Sequence, residues 1–425
     1  MKKFRFDFII IAFVFQECSQ KIQEKQPVNN ILIHDDELYY KYMEPIISIN
    51  RKKGEERMKR AKIGVVGVGC ISDVCLRNIQ NMFDNIEVIG VCDLIPERAQ
   101  NAVKKYNIPK IYKDMYELFA DDEVDIVLNI TRPYEHYDVK TAALLEGKHV
   151  YSEKPLSPRF EEAKELVELA VSKGVMLGGA PDTFMGAGIQ TARKLIDEGF
   201  IGQPIGANAR LATHGPEDWH PDPEFVYKYG GGPMLDMGPY YITALINLLG
   251  RATRVCGMTK ASFSQRPILS EEKYGMIMDV EVPTYEAGVI QFESGAIGQI
   301  FMTFDIYTDD NIGLQIYGTE GSLIVPDPNC FGGEVKLLRA NCDKFEVIPL
   351  LFNYKDNSRG LGLADMAEAI QNGRLHRANS MQQLHLVEIM NGFTKSSESG
   401  KFVEITSPYI RQKPMVYRQV TGCTY

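Results

Sequence analysis

The stretch Lys62-Ile63-Gly64-Val65-Val66-Gly67-Val68-Gly69-Cys70-Ile71-Ser72 decides the fold. Its first half is a short apolar run, as a buried strand requires. The Gly-x-Gly closes that run just where a helical periodicity, Ser72–Met82, begins. Gly67 permits a tight turn, and Gly69 lets the backbone approach a pyrophosphate. The helix N-terminus adds unpaired N–H groups and partial positive charge. The third position of the fingerprint is Ser72 rather than Gly or Ala. Gly67, Gly69, Cys70 and Ile71 are therefore the expected dinucleotide contacts. A second strand ends at Asp93, 26 residues after Gly67, where a carboxylate can accept hydrogen bonds from the adenosine ribose. Its charge would repel a 2′-phosphate, which favours NAD over NADP. The alternative for Asp93 is a helix-capping acid.

Working outward, apolar runs alternate with helical patterns as far as Ala180. The strands read as Lys62–Val68, Ile86–Cys92, Val124–Ile130, His149–Ser152 and Val175–Gly178. The helices read as Ser72–Met82, Pro96–Tyr106, Met115–Ala120, Tyr134–Glu146 and Pro158–Lys173. This rhythm implies an α/β chain with an N-terminal Rossmann domain built on a parallel sheet, over residues 58–180. After Pro181 the pattern changes to a helix, a long Pro-, Asp- and aromatic-rich loop, a helix Leu235–Leu249, and strand-turn-strand runs. Ser294-Gly295 and Gly318–Gly321 sit where hairpin connections are needed. Residues 181–425 are expected to form a second, C-terminal domain with a largely antiparallel sheet.

Two segments carry candidate chemistry. Glu153-Lys154-Pro155 follows a strand end, where a side chain faces the ligand crevice of an open α/β sheet. Further on, Gly230-Gly231-Gly232-Pro233 leads into a helix on which Asp236, Tyr240, Thr243 and Asn247 share one polar face. Ile242, Leu245, Ile246 and Leu249 line its apolar face. An Asp and a Tyr at i, i+4 can present two oxygens to one ligand, yet an ordinary polar-outside helix has the same periodicity.

The chain has 425 residues, 44% hydrophobic, with a net charge of −9, which argues against nucleic-acid binding. Its eight cysteines lack metal-ligand spacing, and Cys70 and Cys92 read as small core residues in a reduced, cytoplasmic setting. Residues 1–57 hold one of the 36 glycines. They carry 10 Lys and Arg against 9 Asp and Glu, which leaves a net of −10 downstream. Phe8–Phe15 is too short an apolar run to span a membrane. We expect residues 1–57 to be a leader, disordered or from a misassigned start, with the working protein beginning at Met58.

The loop Gly67–Ser72, Asp93, Thr131-Arg132-Pro133 with His136, Gly147-Lys148-His149-Val150 before Glu153-Lys154-Pro155, and the glycine-rich lead into Asp236 resemble the Gfo/Idh/MocA oxidoreductase family. Ala180–Phe184 and His214–Pro221 are similar to a bacterial branch known as predicted dehydrogenases. The resemblance implies an NAD-dependent oxidoreductase acting on a secondary hydroxyl of a sugar, cyclitol or glycoside, working as a homodimer or homotetramer, with residues 181–425 as an open-sheet α/β domain for substrate binding and oligomerisation. It implies Lys154 as the catalytic lysine, with Asp236 and Tyr240 standing for an Asp-x-x-x-His pair. It implies Thr131, Pro133, His136, Glu153 and Lys154 as further cofactor contacts. Asp182, Trp219, His220 and Tyr241 are the expected substrate contacts, and Trp219 offers a flat apolar face to a sugar ring. A core or interface tryptophan is the equal alternative. Lys154 nearby would lower the Tyr240 phenol by about 1–3 units. His214 and His220 flank Glu217 and Asp218 without compact ligand spacing, so no metal is expected. Two other functions share these residues: a glycosidase or lyase that oxidises a sugar transiently, and a non-catalytic sugar or dinucleotide sensor.

Overall fold

Ala61, Ile63, Val65 and Val66 are buried on both sides of their strand, which places that strand at the centre of a covered parallel sheet. The computed structural model describes residues 60–310 and 312–416; the expected leader, 1–57, lies outside them. The first unit runs β1 (Ala61–Val66), α1 (Ser72–Met82), β2 (Ile86–Cys92), α2 (Pro96–Tyr106), β3 (Lys110–Ile111), α3 (Met115–Ala120), β4 (Ile126–Asn129), α4 (His136–Leu145), β5 (His149–Ser152), α5 (Phe160–Lys173) and β6 (Leu177–Gly179). Its strands are parallel, in the order β3-β2-β1-β4-β5-β6. That order reverses beside β1 and opens a crevice at the carboxyl ends of β1 and β4. The short β3 has no counterpart in the sequence reading, because two exposed residues leave no apolar run.

The chain continues through α6 (Ala187–Asp197), β7 (Pro204–Ala212), α7 (Pro233–Asp236), α8 (Gly238–Leu249), β8 (Ala252–Lys260), β9 (Gln265–Pro267), β10 (Ile277–Asp279), β11 (Tyr285–Phe292), β12 (Ile297–Thr303), β13 (Ile312–Gly318), β14 (Gly321–Val325), β15 (Val335–Arg339), β16 (Glu346–Ile348), α9 (Leu361–Asn372), α10 (Ser380–Ser399) and β17 (Val403–Glu404). Nine of these strands form one sheet, β16-β15-β14-β13-β7-β12-β11-β8-β17, antiparallel except between β7 and β12. β9 and β10 form a separate hairpin. The last helices return to the first unit: α9 meets β6, and α10 spans from β8 to α5 and β6.

The structure divides the expected helix Leu235–Leu249 into α7 and α8, with a break at Met237. It also reverses the polar-outside reading. All twelve residues of α8 are buried, Thr243 and Asn247 included. Five aliphatic side chains on α8 gain about 1.5–3 kcal/mol each on burial. The unpartnered Thr243 Oγ1 and Asn247 Oδ1 cost about 1–3 kcal/mol each, so the apolar term wins. Cys92 is buried as expected, whereas Cys70 is exposed in the loop after β1. Among the described residues no helix is long and apolar enough to cross a membrane.

Candidate active site

The break at Met237 shapes the site. The Tyr240 N–H donates to the Met237 carbonyl at 3.1 Å, which leaves the Asp236 carbonyl without its intrahelical partner. Lys154 takes that carbonyl. Its Nζ donates to Asp236 O and to Asp236 Oδ1, both at 2.6 Å, and lies 5.5 Å from the Tyr240 ring centroid. The structure thus brings Lys154, Asp236 and Tyr240 together from two separate units. The Lys154 side chain is only 15% exposed. Burial alone would lower its pKa; Asp236, Tyr240 and Glu153 outweigh burial and raise it. Lys154 therefore stays an ammonium. An ammonium has three N–H donors, so one remains for a ligand oxygen.

Tyr240 departs from expectation. Its burial raises the phenol further than Lys154 and Arg359 lower it, so the net shift is upward. The cleft around it is lined by Cys75, Tyr151, Glu153, Asp182 and Arg359, with an apolar floor that includes Leu128 and Ile130. It opens where β4, β5 and β6 end.

Two buried groups hold the Glu153–Pro155 turn, whose Lys154-Pro155 peptide is cis. His136 Nδ1 lies 2.9 Å from the Pro155 carbonyl, and Nε2 lies 3.1 Å from the Thr131 carbonyl. One helical turn on, Lys140 Nζ donates to the Pro155 carbonyl at 3.4 Å and to the Leu156 carbonyl. Burial pushes His136 down to about 3 and Lys140 well below its ordinary value. His136 thus sits beneath the Thr131 and Lys154 turns, its single N–H donating to one of the two carbonyls, with no exposed surface of its own. Lys140 was not foreseen; its only sequence signal is a lysine at i+4 from His136.

The dinucleotide loop fits its ligand. Gly67 has φ +85°, and a Cβ there would stand 3.0 Å from the Ile130 carbonyl. A Cβ on Gly69 would meet nothing within 4 Å, so that backbone faces open space. No side chain caps α1 at Ile71, and only the Ser72 N–H turns back, to the Gly69 carbonyl at 3.1 Å, so this helix start suits an anion. Asp93 holds the loop itself: Oδ2 accepts the Val68 N–H at 2.7 Å and Oδ1 the Ile95 N–H at 2.8 Å, the latter a turn ahead of α2 and not a cap on it. Each carboxylate oxygen keeps a lone pair for a ribose hydroxyl. Thr131 bonds Asn129 Oδ1 through its N–H and hydroxyl, and Pro133 begins a 3₁₀ turn beside it.

The expected substrate contacts divide. Trp219 is 70% exposed, edge-on to His220 at 5.5 Å. His220 accepts the Asp222 N–H at 3.0 Å and senses the charges of Asp236 and Arg132. Asp222 bridges Arg132 (3.2 Å) and Lys273 (2.8 Å), and so ties this loop to the end of β4 and to the β9–β10 hairpin. Asp182 lies in the cleft wall, but its Oδ2 accepts the Gly360 and Gly362 N–H groups, each at 3.0 Å. Tyr241 is fully buried, turned away toward the charges of Asp327 and Arg210. Glu217 pairs with Arg266 at 2.7 Å. Among the described residues no cluster of three or more His, Cys, Asp or Glu is placed to hold a metal.

Residues 61–179 match the model of the oxidoreductase family with an NAD-binding Rossmann fold, and residues 189–324 match the Gfo/Idh/MocA C-terminal domain. The chain is 26% identical to the scyllo-inositol 2-dehydrogenase (NAD(+)) of Bacillus subtilis over 348 residues, 81% of this chain and 96% of that one. It is 25% identical to the myo-inositol 2-dehydrogenase of Thermotoga maritima over 262 residues, 62% of this chain and 74% of that one. Levoglucosan dehydrogenase, solved with NADH and levoglucosan, shares the fold, with a TM-score of 0.70 at 21% identity over 81% of this chain and 99% of that one. With the crevice, the open glycine loop and the Glu-Lys-Pro turn in place, the chain belongs to the Gfo/Idh/MocA oxidoreductase family, as a dehydrogenase that uses NAD.

Proposed function

We propose that this dehydrogenase oxidises a secondary hydroxyl of a sugar, cyclitol or glycoside, the class to which inositols and levoglucosan belong. The observation that carries this reading is the Lys154–Asp236 pair beside Tyr240 at the mouth of the nucleotide crevice. Bound NAD supplies the hydride acceptor. Gly67, Gly69, Cys70 and Ile71 hold its pyrophosphate, Asp93 its adenosine ribose, and Thr131, Pro133 and Glu153 line its nicotinamide half, with His136 bracing them.

Lys154 gives its third N–H to the reacting oxygen and stabilises the alkoxide charge that develops there. Asp236 keeps the lysine charged and aimed. Tyr240 is the proton carrier: as the tyrosinate its Oη takes the hydroxyl proton during oxidation, and as the phenol it returns that proton to a carbonyl during reduction. Trp219 and His220, on the loop tied down through Asp222, cover the outer side of the substrate. Asp182 shapes the cleft wall, and Tyr241 supports α8 from within the core.

Lys154→Ala and Tyr240→Phe test this assignment. Each is expected to abolish NADH formation while NADH fluorescence titration shows unchanged cofactor binding. Near wild-type turnover in both variants would end it.

A further inference from the structure

Tyr240 needs a partner for its oxygen, and Lys154 is not that partner. Two of the lysine's donors are fixed on Asp236, and its charge is matched by the Asp236 carboxylate at 2.6 Å. Besides Lys154, the cation whose charge favours ionisation of Tyr240 is Arg359. The two face each other across the same cleft.

Three distant elements fix this arginine. Its Nη2 donates to Asn329 Oδ1 at 2.7 Å and to the Asn329 carbonyl at 3.3 Å, in the loop after β14. Its own carbonyl accepts from Asn78 Nδ2 of α1 at 3.1 Å. The next residues are held by Asp182, which takes the Gly360 and Gly362 N–H groups. No carboxylate among the described residues lies within ion-pair distance of the guanidinium, so its charge is not spent on a salt bridge. A half-buried, braced cation with free charge, lining the reacting cleft together with Tyr240, has a clear use.

We propose that Arg359 is a positioning residue for proton transfer: its guanidinium donates to Tyr240 Oη, aims that oxygen into the cleft and stabilises the tyrosinate form. This rests on Tyr240 being the proton carrier proposed above. In oxidation the substrate hydroxyl gives its proton to the tyrosinate Oη, while the carbinol carbon loses its hydrogen with the bonding pair to oxidised NAD. The carbon–oxygen bond becomes a carbonyl, Tyr240 becomes a neutral phenol, and Arg359 keeps all its protons. The division of labour is then simple. Lys154 serves the substrate oxygen, and Arg359 serves the tyrosine oxygen.

Other charges also face Tyr240. Lys154 and Glu153 approach from the turn after β5, the first favouring the tyrosinate and the second opposing it. Cys75 of α1, Tyr151 of β5 and Asp182 line the same cleft. Burial opposes ionisation throughout. Removing Arg359 therefore leaves Lys154 as the one cation against burial and Glu153.

The titration needs no known substrate. The full chain is labelled with ¹³Cζ-tyrosine, and the Tyr240 resonance is assigned by its loss in Tyr240→Phe. Its ionisation is then followed by NMR titration. Arg359→Met is expected to move the Tyr240 midpoint upward by about 1–3 pH units, and Arg359→Lys to recover part of that shift. Asn329→Ala keeps the guanidinium but removes its brace; it should shift the midpoint the same way by a smaller amount, and it stands in if Arg359→Met does not fold. An unchanged midpoint in Arg359→Met, or in Asn329→Ala where that variant stands in, overturns the proposal. The two readings fail separately: full turnover in Tyr240→Phe defeats the proton-carrier assignment, whereas an inactive Tyr240→Phe with an unmoved midpoint defeats only the role of Arg359.

Discussion

Replacing Asp236 with asparagine removes the carboxylate that keeps Lys154 charged, with almost no change in shape. In the intact site the ammonium is 15% exposed and the carboxylate 29%, with a 2.6 Å contact between them. Breaking a buried pair costs about 3–5 kcal/mol, because the surviving charge stays desolvated. The partial exposure of Asp236 and the retained Asp236 carbonyl at 2.6 Å reduce this to about 2–3 kcal/mol. At about 1.4 kcal/mol per pH unit, the Lys154 pKa should fall by roughly 2 units. The direction is firm, since the largest force raising it is gone and burial remains. The assay is ¹³C-reductive methylation of the lysines with NMR titration, the Lys154 signal being identified by its absence in Lys154→Arg. A Lys154 signal that titrates alike in the wild type and Asp236→Asn would refute the electrostatic role given to Asp236.

Three further outcomes are expected. Glu286, buried under α7 with the Met234 N–H as its hydrogen-bond partner, is raised to about 8. It binds a proton in the folded state that the unfolded chain releases above its ordinary 4.5, so this group's contribution to stability falls as pH rises from 4.5 to 8. Glu286→Gln should therefore raise stability by about 3 kcal/mol at pH 7 and by almost nothing at pH 4, read from urea midpoints at the two pH values. Equal gains at both would contradict the buried-acid account. Asp182→Ala leaves the Gly360 and Gly362 N–H groups without their acceptor and should cost about 2–4 kcal/mol in urea unfolding; an unchanged midpoint would show that Asp182 does not hold the Arg359 segment. Asp93→Asn removes the charge that repels a 2′-phosphate, and the preference for NADH over NADPH in fluorescence titration should fall by about tenfold, or 1.4 kcal/mol. A constant ratio would move the discrimination elsewhere.

Much of this was legible in the residues. Ser72–Met82, Ile86–Cys92, Pro96–Tyr106 and His149–Ser152 form with the boundaries their periodicity gives, because each apolar stripe has only one sheet to bury against. Gly67, Gly69 and the Glu153–Pro155 turn could be placed because both depend on backbone geometry local to a strand end. The α7–α8 break could not be read from periodicity, since Pro233 and Pro239 each fit a first helical turn and the apolar spacing runs past Met237. Cys70 looked like core because its neighbours are apolar, but a loop that must open toward a ligand overrides them. Arg359 carries no motif of its own. Its one cue is Arg-Gly-Leu-Gly at a helix start, and its meaning arises only when Asn329, Asn78 and Asp182 fold it against Tyr240.

The most direct measurement incubates the full-length chain and NAD with a panel of cyclitols, aldoses and glycosides while absorbance at 340 nm is recorded. The account predicts NADH accumulating with at least one of them, and none accumulating with the Lys154→Ala chain. Glycoside cleavage without NADH, or NADH formation that survives Lys154→Ala undiminished, would contradict it.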